Sequence, residues 1–340
     1  MSITQLKKDS QAVLDVTDLS LINGKTILIT GASGLIGTHV LFSLNEYILR
    51  GGVIKKCYAL IFSDLPEYLS EFLNYEWIEF LRGDITDDQF LKYLPNADFI
   101  IHAATYAQPQ KFMGDAAKVI KINTLSVFSL LDKLITGGKF LFISSSAVYT
   151  GCADLPFDEN KIGCSNTDHP RSGYIEGKRC GEAIINSYRN QGIDAKSIRL
   201  QFTYGPGIRL DDVRVLNQFI TRAFSDGRID LLDDGSAERI YIYISDMIEL
   251  LWKILLHGKS NIYNVAGKSK TSVFDLAQNI GAIINVPVKK KELSNAVAGA
   301  VLTEELNMNK TENEFNKSNY IPLNEGLRRT ISWIKETYYV

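Results

Sequence analysis

Short apolar runs alternate along the chain with longer stretches in which apolar residues recur every three or four positions. The first run, Thr26-Ile27-Leu28-Ile29-Thr30, is followed by strand-like runs at Cys57–Phe62, Trp77–Leu81, Ala97–His102, Lys139–Ser144 and Ala195–Leu200. Each is brief and apolar nearly throughout, as strands buried on both faces of a parallel sheet are. Between them, Asn123–Ile135 reads as a crossover helix, and Arg179–Asn190 continues a helix that begins near Tyr174. Strands alternating with helices predict an α/β fold with a doubly wound parallel sheet. After about Gln201 the rhythm breaks into mixed strand and helix with more charge, which reads as a smaller mixed α/β C-terminal lobe closed by a helix at Leu323–Tyr338. The expected organisation is an N-terminal extension over 1–22, the doubly wound domain over 23–200, and the lobe over 201–340, partly interleaved with it.

The 340 residues leave ample length for a core, and 45% hydrophobic with 22% charged residues is the globular norm. Net charge is −2, so no electrostatic footprint for nucleic acid is present. An anionic ligand must be met by a few local Arg or Lys. No apolar run approaches the roughly 20 residues that cross a bilayer, and Met1–Val16 lacks the apolar core of a secretory signal. The reading is a cytoplasmic protein that binds neither nucleic acid nor membrane. Cys57, Cys152, Cys164 and Cys180 have no metal-site or redox-pair spacing, so free thiols and no metal are expected.

Gly31-Ala32-Ser33-Gly34-Leu35-Ile36-Gly37 follows the first strand and opens a helix. Glycines there permit a tight turn and the close approach of a pyrophosphate, whose charge sits at the helix N-terminus. A Rossmann-type, NAD(P)-binding domain follows from that placement. Tyr174 and Lys178 lie four apart, on one face of a helix. A nearby ammonium is expected to pull the tyrosine pKa down, so that the phenolate can take a proton from a hydroxyl or return one to a ketone.

More segments follow in order: Gly83-Asp84-Ile85-Thr86-Asp87, His102-Ala103-Ala104, Asn123-Thr124-Leu125, Ser144-Ser145-Ser146-Ala147-Val148-Tyr149, Tyr174-Ile175-Glu176-Gly177-Lys178, Arg199 to Tyr204-Gly205-Pro206, and Arg239 to Asp246. The ordered set resembles the extended short-chain dehydrogenase/reductase superfamily, within it the NAD-dependent nucleotide-sugar epimerases and dehydratases, over residues 25 to about 250. The resemblance implies a catalytic Ser145–Tyr174–Lys178 set, with Ser146 as the alternative serine. It places Gly31, Ser33, Gly34, Leu35, Ile36, Gly37, Asp84, Ile85, Ala103, Ala104, Thr105, Asn123 and Ser144 along the cofactor. Asn123 would anchor a water near Lys178, or else cap a helix. Tyr106, Ser146, Phe202, Thr203, Arg209 and Arg239 are implied for the substrate, the two guanidinium groups as forks for a diphosphate. Asp64, with Ser63 as the alternative, would end the second strand at the adenosine ribose and disfavour NADP; the cofactor expected is NAD, with NADP as the alternative. His102 reads as a packing residue, and His169 as a loop residue bordering the substrate.

Two departures bear on the reaction. The 4,6-dehydratases carry an Asp-Glu pair directly after the catalytic residue, and the decarboxylases usually keep a Glu there; this chain has Ser146 and Ala147. That favours plain hydride exchange at sugar C4, as in 4-epimerases and 4-ketoreductases. A dehydratase or decarboxylase with a carboxylate supplied by the lobe is the rival, and a catalytically silent dinucleotide-binding scaffold or sensor the other. The Asn often found three residues after the Arg is Phe202 here. Apolar residues on two faces of the Asn123 and Tyr174 helices predict a homodimer.

Overall fold

The computed structural model describes residues 3–290 and 304–339. Residues 1–2 of the expected extension, and 291–303 and 340 of the expected lobe, lie outside them. In chain order the elements are α1 (Thr4–Asp15), β1 (Lys25–Thr30), α2 (Leu35–Leu49), β2 (Ile54–Ile61), β3 (Ile78–Arg82), α3 (Asp88–Lys92), β4 (Ala97–His102), α4 (Pro109–Gly114), α5 (Ala116–Asn123), α6 (Leu125–Leu131), β5 (Leu134–Ser145), α7 (Ser172–Arg189), β6 (Asp194–Leu200), β7 (Phe202–Tyr204), α8 (Val215–Asp226), β8 (Ile229–Asp230), β9 (Glu238–Tyr243), α9 (Ile244–His257), β10 (Ile262–Val265), β11 (Ser269–Ser272), α10 (Val273–Ile284), β12 (Val288–Lys289), α11 (Asn309–Phe315) and α12 (Leu323–Tyr338).

Seven strands form one parallel sheet in the order β10-β6-β5-β4-β1-β2-β3. The strands are apolar throughout because both faces are covered. In β1, Ile27 and Ile29 join the core layer that holds residues of α2 and α9, whereas Leu28 joins the layer of α6 and α7. The chain direction across the sheet reverses between β1 and β4, where a doubly wound sheet opens a crevice at its strand ends. A three-stranded sheet, β11-β9-β7, and the pair β12-β8 build the smaller part. The interleaving is direct: β10 pairs with β6 in the large sheet, and α9 packs on β5 and β6, although both follow Gln201 in the chain.

One sequence expectation changes, and another gains detail. The segment Asn123–Ile135 is not one helix. α5 ends at Asn123, Thr124 breaks the path at φ −128° and ψ −76°, α6 is short, and Leu134 and Ile135 already belong to β5. Within the expected N-terminal extension, the described residues include a helix that joins the core. α1 packs on α2 and α9, with Leu6 and Val13 buried. Its Asp9, buried too, accepts from the Tyr243 hydroxyl at 2.7 Å and from Gln5 at 2.9 Å. Burial outweighs those bonds and raises the Asp9 pKa to about 6.

Candidate active site

The glycine loop leaves β1 and turns into α2 in four residues. Gly31 has φ +68°, and a side chain there would come within 2.9 Å of the Ala104 backbone. A Cβ at Gly37 would meet the Gly31 carbonyl oxygen at 2.4 Å. These positions hold the start of α2 against the strand ends and leave the first-turn N–H groups of Leu35, Ile36 and Gly37 without helical acceptors. That is a cradle for a pyrophosphate. Ser33 lies in it, buried.

The neighbouring strand ends form the rest of the trough. After β3, Asp84 Oδ1 accepts from the Thr86 N–H at 2.9 Å and its hydroxyl at 2.8 Å, while Lys118 Nζ pairs with Oδ2 at 2.7 Å. Burial would raise the Asp84 pKa, but these partners hold it below the usual carboxylate range. Buried Ile85 follows, and its carbonyl accepts from Ser126 Oγ at 2.6 Å. Lys118 also lies 4.4 Å from the Phe62 ring centre and bonds the Tyr106 side chain, so Tyr106 stands between this end and the cluster around Tyr174. After β2, Asp64 is exposed and pairs with Arg82 at 2.7 Å.

After β4, Ala103, Ala104 and Thr105 run past the glycine loop. The Ala104 N–H donates to Thr30 Oγ1 at 3.1 Å, and Thr30 Oγ1 lies 2.7 Å from His102 Nδ1. His102 Nε2 faces the Ile122 carbonyl at 3.0 Å. Both ring nitrogens are spent, and burial and the nearby Lys178 lower the His102 pKa to about 3. It is a packing residue, as the sequence suggests. His169 Nδ1 accepts from the Arg171 N–H at 3.1 Å, tying down the turn before α7.

Asn123 caps no helix through its side chain. It is fully buried at the end of α5 and donates to the Val119 carbonyl at 2.8 Å and weakly to Thr105 Oγ1 at 3.4 Å. Its Oδ1 has no partner among the described residues. An orphaned buried acceptor beside α7, together with the glycine cradle, fits a site that a dinucleotide and its bound water complete.

Ser145 ends β5, and its Oγ accepts from the Ala147 N–H at 3.2 Å. Its hydroxyl also bonds the Tyr174 side chain and favours the phenolate. Ser146 points elsewhere, so the geometry brings Ser145 to the tyrosine. Tyr174 is buried and stacks on Phe112, with ring centres 4.7 Å apart. Lys178, one turn on, is 1% exposed; its Nζ donates to the Ile143 carbonyl at 2.6 Å and lies 5.9 Å from the Tyr174 ring centre. One turn further, Glu182 accepts from Ser144 Oγ at 2.6 Å and pairs with Arg199 at 2.8 Å. Ser144 is therefore committed to the core rather than open to a cofactor.

The electrostatics correct one expectation. The Lys178 ammonium is not what governs Tyr174 here. Burial raises the Tyr174 pKa, opposed by Ser145 and Arg171. Burial also lowers Lys178 to about 7 against the pull of Glu182.

On the far side lie the residues expected for the substrate. The Arg239 guanidinium sits 5.7 Å from the Phe202 ring centre, and Nη1 donates to the Glu238 carbonyl at 2.7 Å. Thr203 Oγ1 donates to the Gln201 carbonyl at 3.1 Å. Arg209 stands apart from this group: it pairs with Asp211 at 3.1 Å and reaches Ser63 Oγ at 3.4 Å, at the end of β2. Arg214 replaces it. It pairs with Asp212 at 2.5 Å, and its charge acts on both Tyr174 and Tyr241, as that of Arg239 acts on Tyr241. Glu304 arrives from the lobe: Ser146 Oγ donates to its Oε2 at 3.0 Å, and Gln201 Nε2 to its carbonyl at 2.9 Å. Sequence reasoning names neither Arg214 nor Glu304. Arg214 is set off by a charged neighbourhood, Asp211-Asp212-Val213-Arg214, but Glu304 carries no local signal.

Over 271 residues the chain is 29% identical to UDP-glucuronic acid decarboxylase 3 of Arabidopsis thaliana, covering 79% of this chain and 77% of that one. It is 26% identical over 324 residues to a dTDP-4-dehydro-6-deoxy-D-allose reductase of a Streptomyces species, covering 92% and 97%. Its fold superposes on the UDP-glucose 4-epimerase of Thermotoga maritima with a TM-score of 0.79, 23% identity, and coverage of 92% and 99%. The model of the NAD dependent epimerase/dehydratase family matches residues 27–266, from the strand before the glycine loop to the end of β10. With the glycine cradle, the orphaned Asn123 acceptor and the Ser145–Tyr174–Lys178 cluster all inside that span, the chain belongs to the NAD dependent epimerase/dehydratase family.

Proposed function

We propose that the protein is an NAD-dependent enzyme that acts on a nucleotide-diphospho sugar and oxidises or reduces it at sugar C4. The observation that carries this is the meeting of Ser145 and Tyr174 beside Lys178, at the strand ends next to the glycine cradle. The bound cofactor supplies hydride transfer to and from the carbinol carbon. Ser145 and Tyr174 hold the C4 oxygen, and Tyr174 exchanges its proton. Lys178 has one O···H–N bond, to Ile143, and further N–H groups to offer the ribose hydroxyls. Arg214 and Arg239 grip the diphosphate beside Phe202, whose ring replaces the family's usual Asn. Incubation with NAD and a panel of UDP- and dTDP-sugars, with products read by mass spectrometry, tests the reading. Tyr174→Phe is expected to keep cofactor binding and lower turnover by at least about 100-fold; near-normal turnover would refute the role.

A second reading, a dehydratase or decarboxylase that draws its acid from the lobe, is favoured by one observation. The carboxylate missing at Ala147 is matched by Glu304 at Ser146. The similarity to the plant decarboxylase points the same way.

A further inference from the structure

Proton exchange at a sugar oxygen occupies Tyr174 and Ser145 and leaves no task for a carboxylate. Glu304 is nevertheless in the site. It is 8% exposed, and its carboxylate is held by the single O–H of Ser146. No cation pairs with it among the described residues. Its backbone is anchored by Gln201, the residue between β6 and β7. Its charge reaches Tyr174, where it opposes the phenolate. This carboxylate is covered from water and held by one O–H donor. It costs free energy that a purely structural residue could avoid.

We propose that Glu304 is a catalytic residue whose carboxylate removes and returns the proton on the ring carbon next to C4, while Tyr174 and Ser145 hold the C4 oxygen. This rests on the C4 reading given above. Once C4 is a ketone, the C–H bonds at C3 and C5 are acidified. Glu304 takes the proton, the C–H electron pair becomes the carbon–carbon double bond of an enolate, and the carbonyl π pair moves onto the C4 oxygen. There the O–H groups of Tyr174 and Ser145 stabilise it. The reverse step returns a proton from Glu304 to carbon. No further oxidant or reductant is required. Ser146 positions the carboxylate, in place of the carboxylate that relatives carry directly after the catalytic serine or threonine.

The test is run in D2O with NAD and, separately, UDP-glucose, UDP-glucuronic acid and dTDP-glucose. Carbon-bound deuterium is located by mass spectrometry and proton NMR, and C4 oxidation is followed by absorbance of the reduced cofactor. Wild type is expected to place deuterium on C3 or C5. Glu304→Gln should lose that incorporation by at least about 100-fold while C4 oxidation falls far less. Glu304→Asp should recover part of it, which also controls for a folding defect. Deuterium incorporated by Glu304→Gln at the wild-type rate overturns the proposal, as does C4 oxidation by wild type with no carbon-bound deuterium. Absence of C4 oxidation by wild type with all three sugars refutes the C4 reading itself and removes the proposal with it.

Discussion

At the scale of single residues, the buried Lys178 ties the site's chemistry to stability. Its pKa is lowered by burial from 10.5 to about 7, so the folded protein binds fewer protons than the unfolded chain between those values. The stability associated with Lys178 is fully present above pH 10.5 and is lost as pH falls through about 7. Within that window wild type should gain up to about 1.4 kcal/mol per pH unit relative to Lys178→Met, in which the ammonium is gone. Urea unfolding of both proteins at pH 6, 7.5 and 9 checks this, and parallel pH profiles would contradict it. The same residue shows what sequence can and cannot reveal. Tyr174, Lys178 and Glu182 are spaced by one helical turn, so their shared face is legible from numbering alone. That burial overrides the ammonium's pull on Tyr174 is a property of the surrounding core, and only the packed structure contains it. Glu304 meets Ser146 across 158 positions, with no periodicity linking them. Spacing singles out Arg209 and passes over Arg214, and only the fold sends the first to Ser63 and the second toward Tyr174.

At the scale of elements, the strands were the readable part, because runs of Val, Ile, Leu and Phe buried on two faces leave little ambiguity. The predicted Ala97–His102 and Leu323–Tyr338 match β4 and α12 end to end. The single helix expected over Asn123–Ile135 failed at Thr124, whose hydroxyl donates back to the Ile120 carbonyl at 2.8 Å, the bond by which Thr competes with a continuing helix. The expected division into two apolar faces survives the break. Val127, Leu130, Leu131, Ile184 and Ile185 are buried, whereas Ile120, Leu125 and Phe128 stay exposed, as does Cys180 on α7. Three large apolar side chains on adjoining short helices form a patch that solvent disfavours. A homodimer through α5, α6 and α7 is the proposal that follows. Light scattering at micromolar concentration should give twice the chain mass for wild type and the chain mass for Phe128→Asp. A wild-type monomer would count against it.

At the scale of the whole molecule, the chain does not divide into successive halves, since β10 and α9 return to the large sheet after the lobe has begun, and α1 reaches across to residues near the other terminus. Local pattern announces β1 to β6 but not this return, which depends on which edges and faces remain open once the earlier elements have packed. Leu6 is fully buried between α1 and its neighbours, so Leu6→Ala should lower stability by about 2–5 kcal/mol, measured by denaturant unfolding. A change under about 0.5 kcal/mol would mean that α1 is dispensable. The contact between Asp9 and Tyr243 spans 234 positions, and that between Asp9 and Arg329 spans 320. During synthesis α1 therefore leaves the ribosome with α2 close behind but long before α9, Tyr243 and Arg329 exist, and a 12-residue helix is marginal by itself. Its contacts with α9, Tyr243 and Arg329 can form only late in translation. A contact made after the folding barrier changes the rate of unfolding more than the rate of folding. Leu6→Ala should accordingly steepen unfolding and leave refolding almost untouched, which makes α1 the element that sets how long the finished protein lasts.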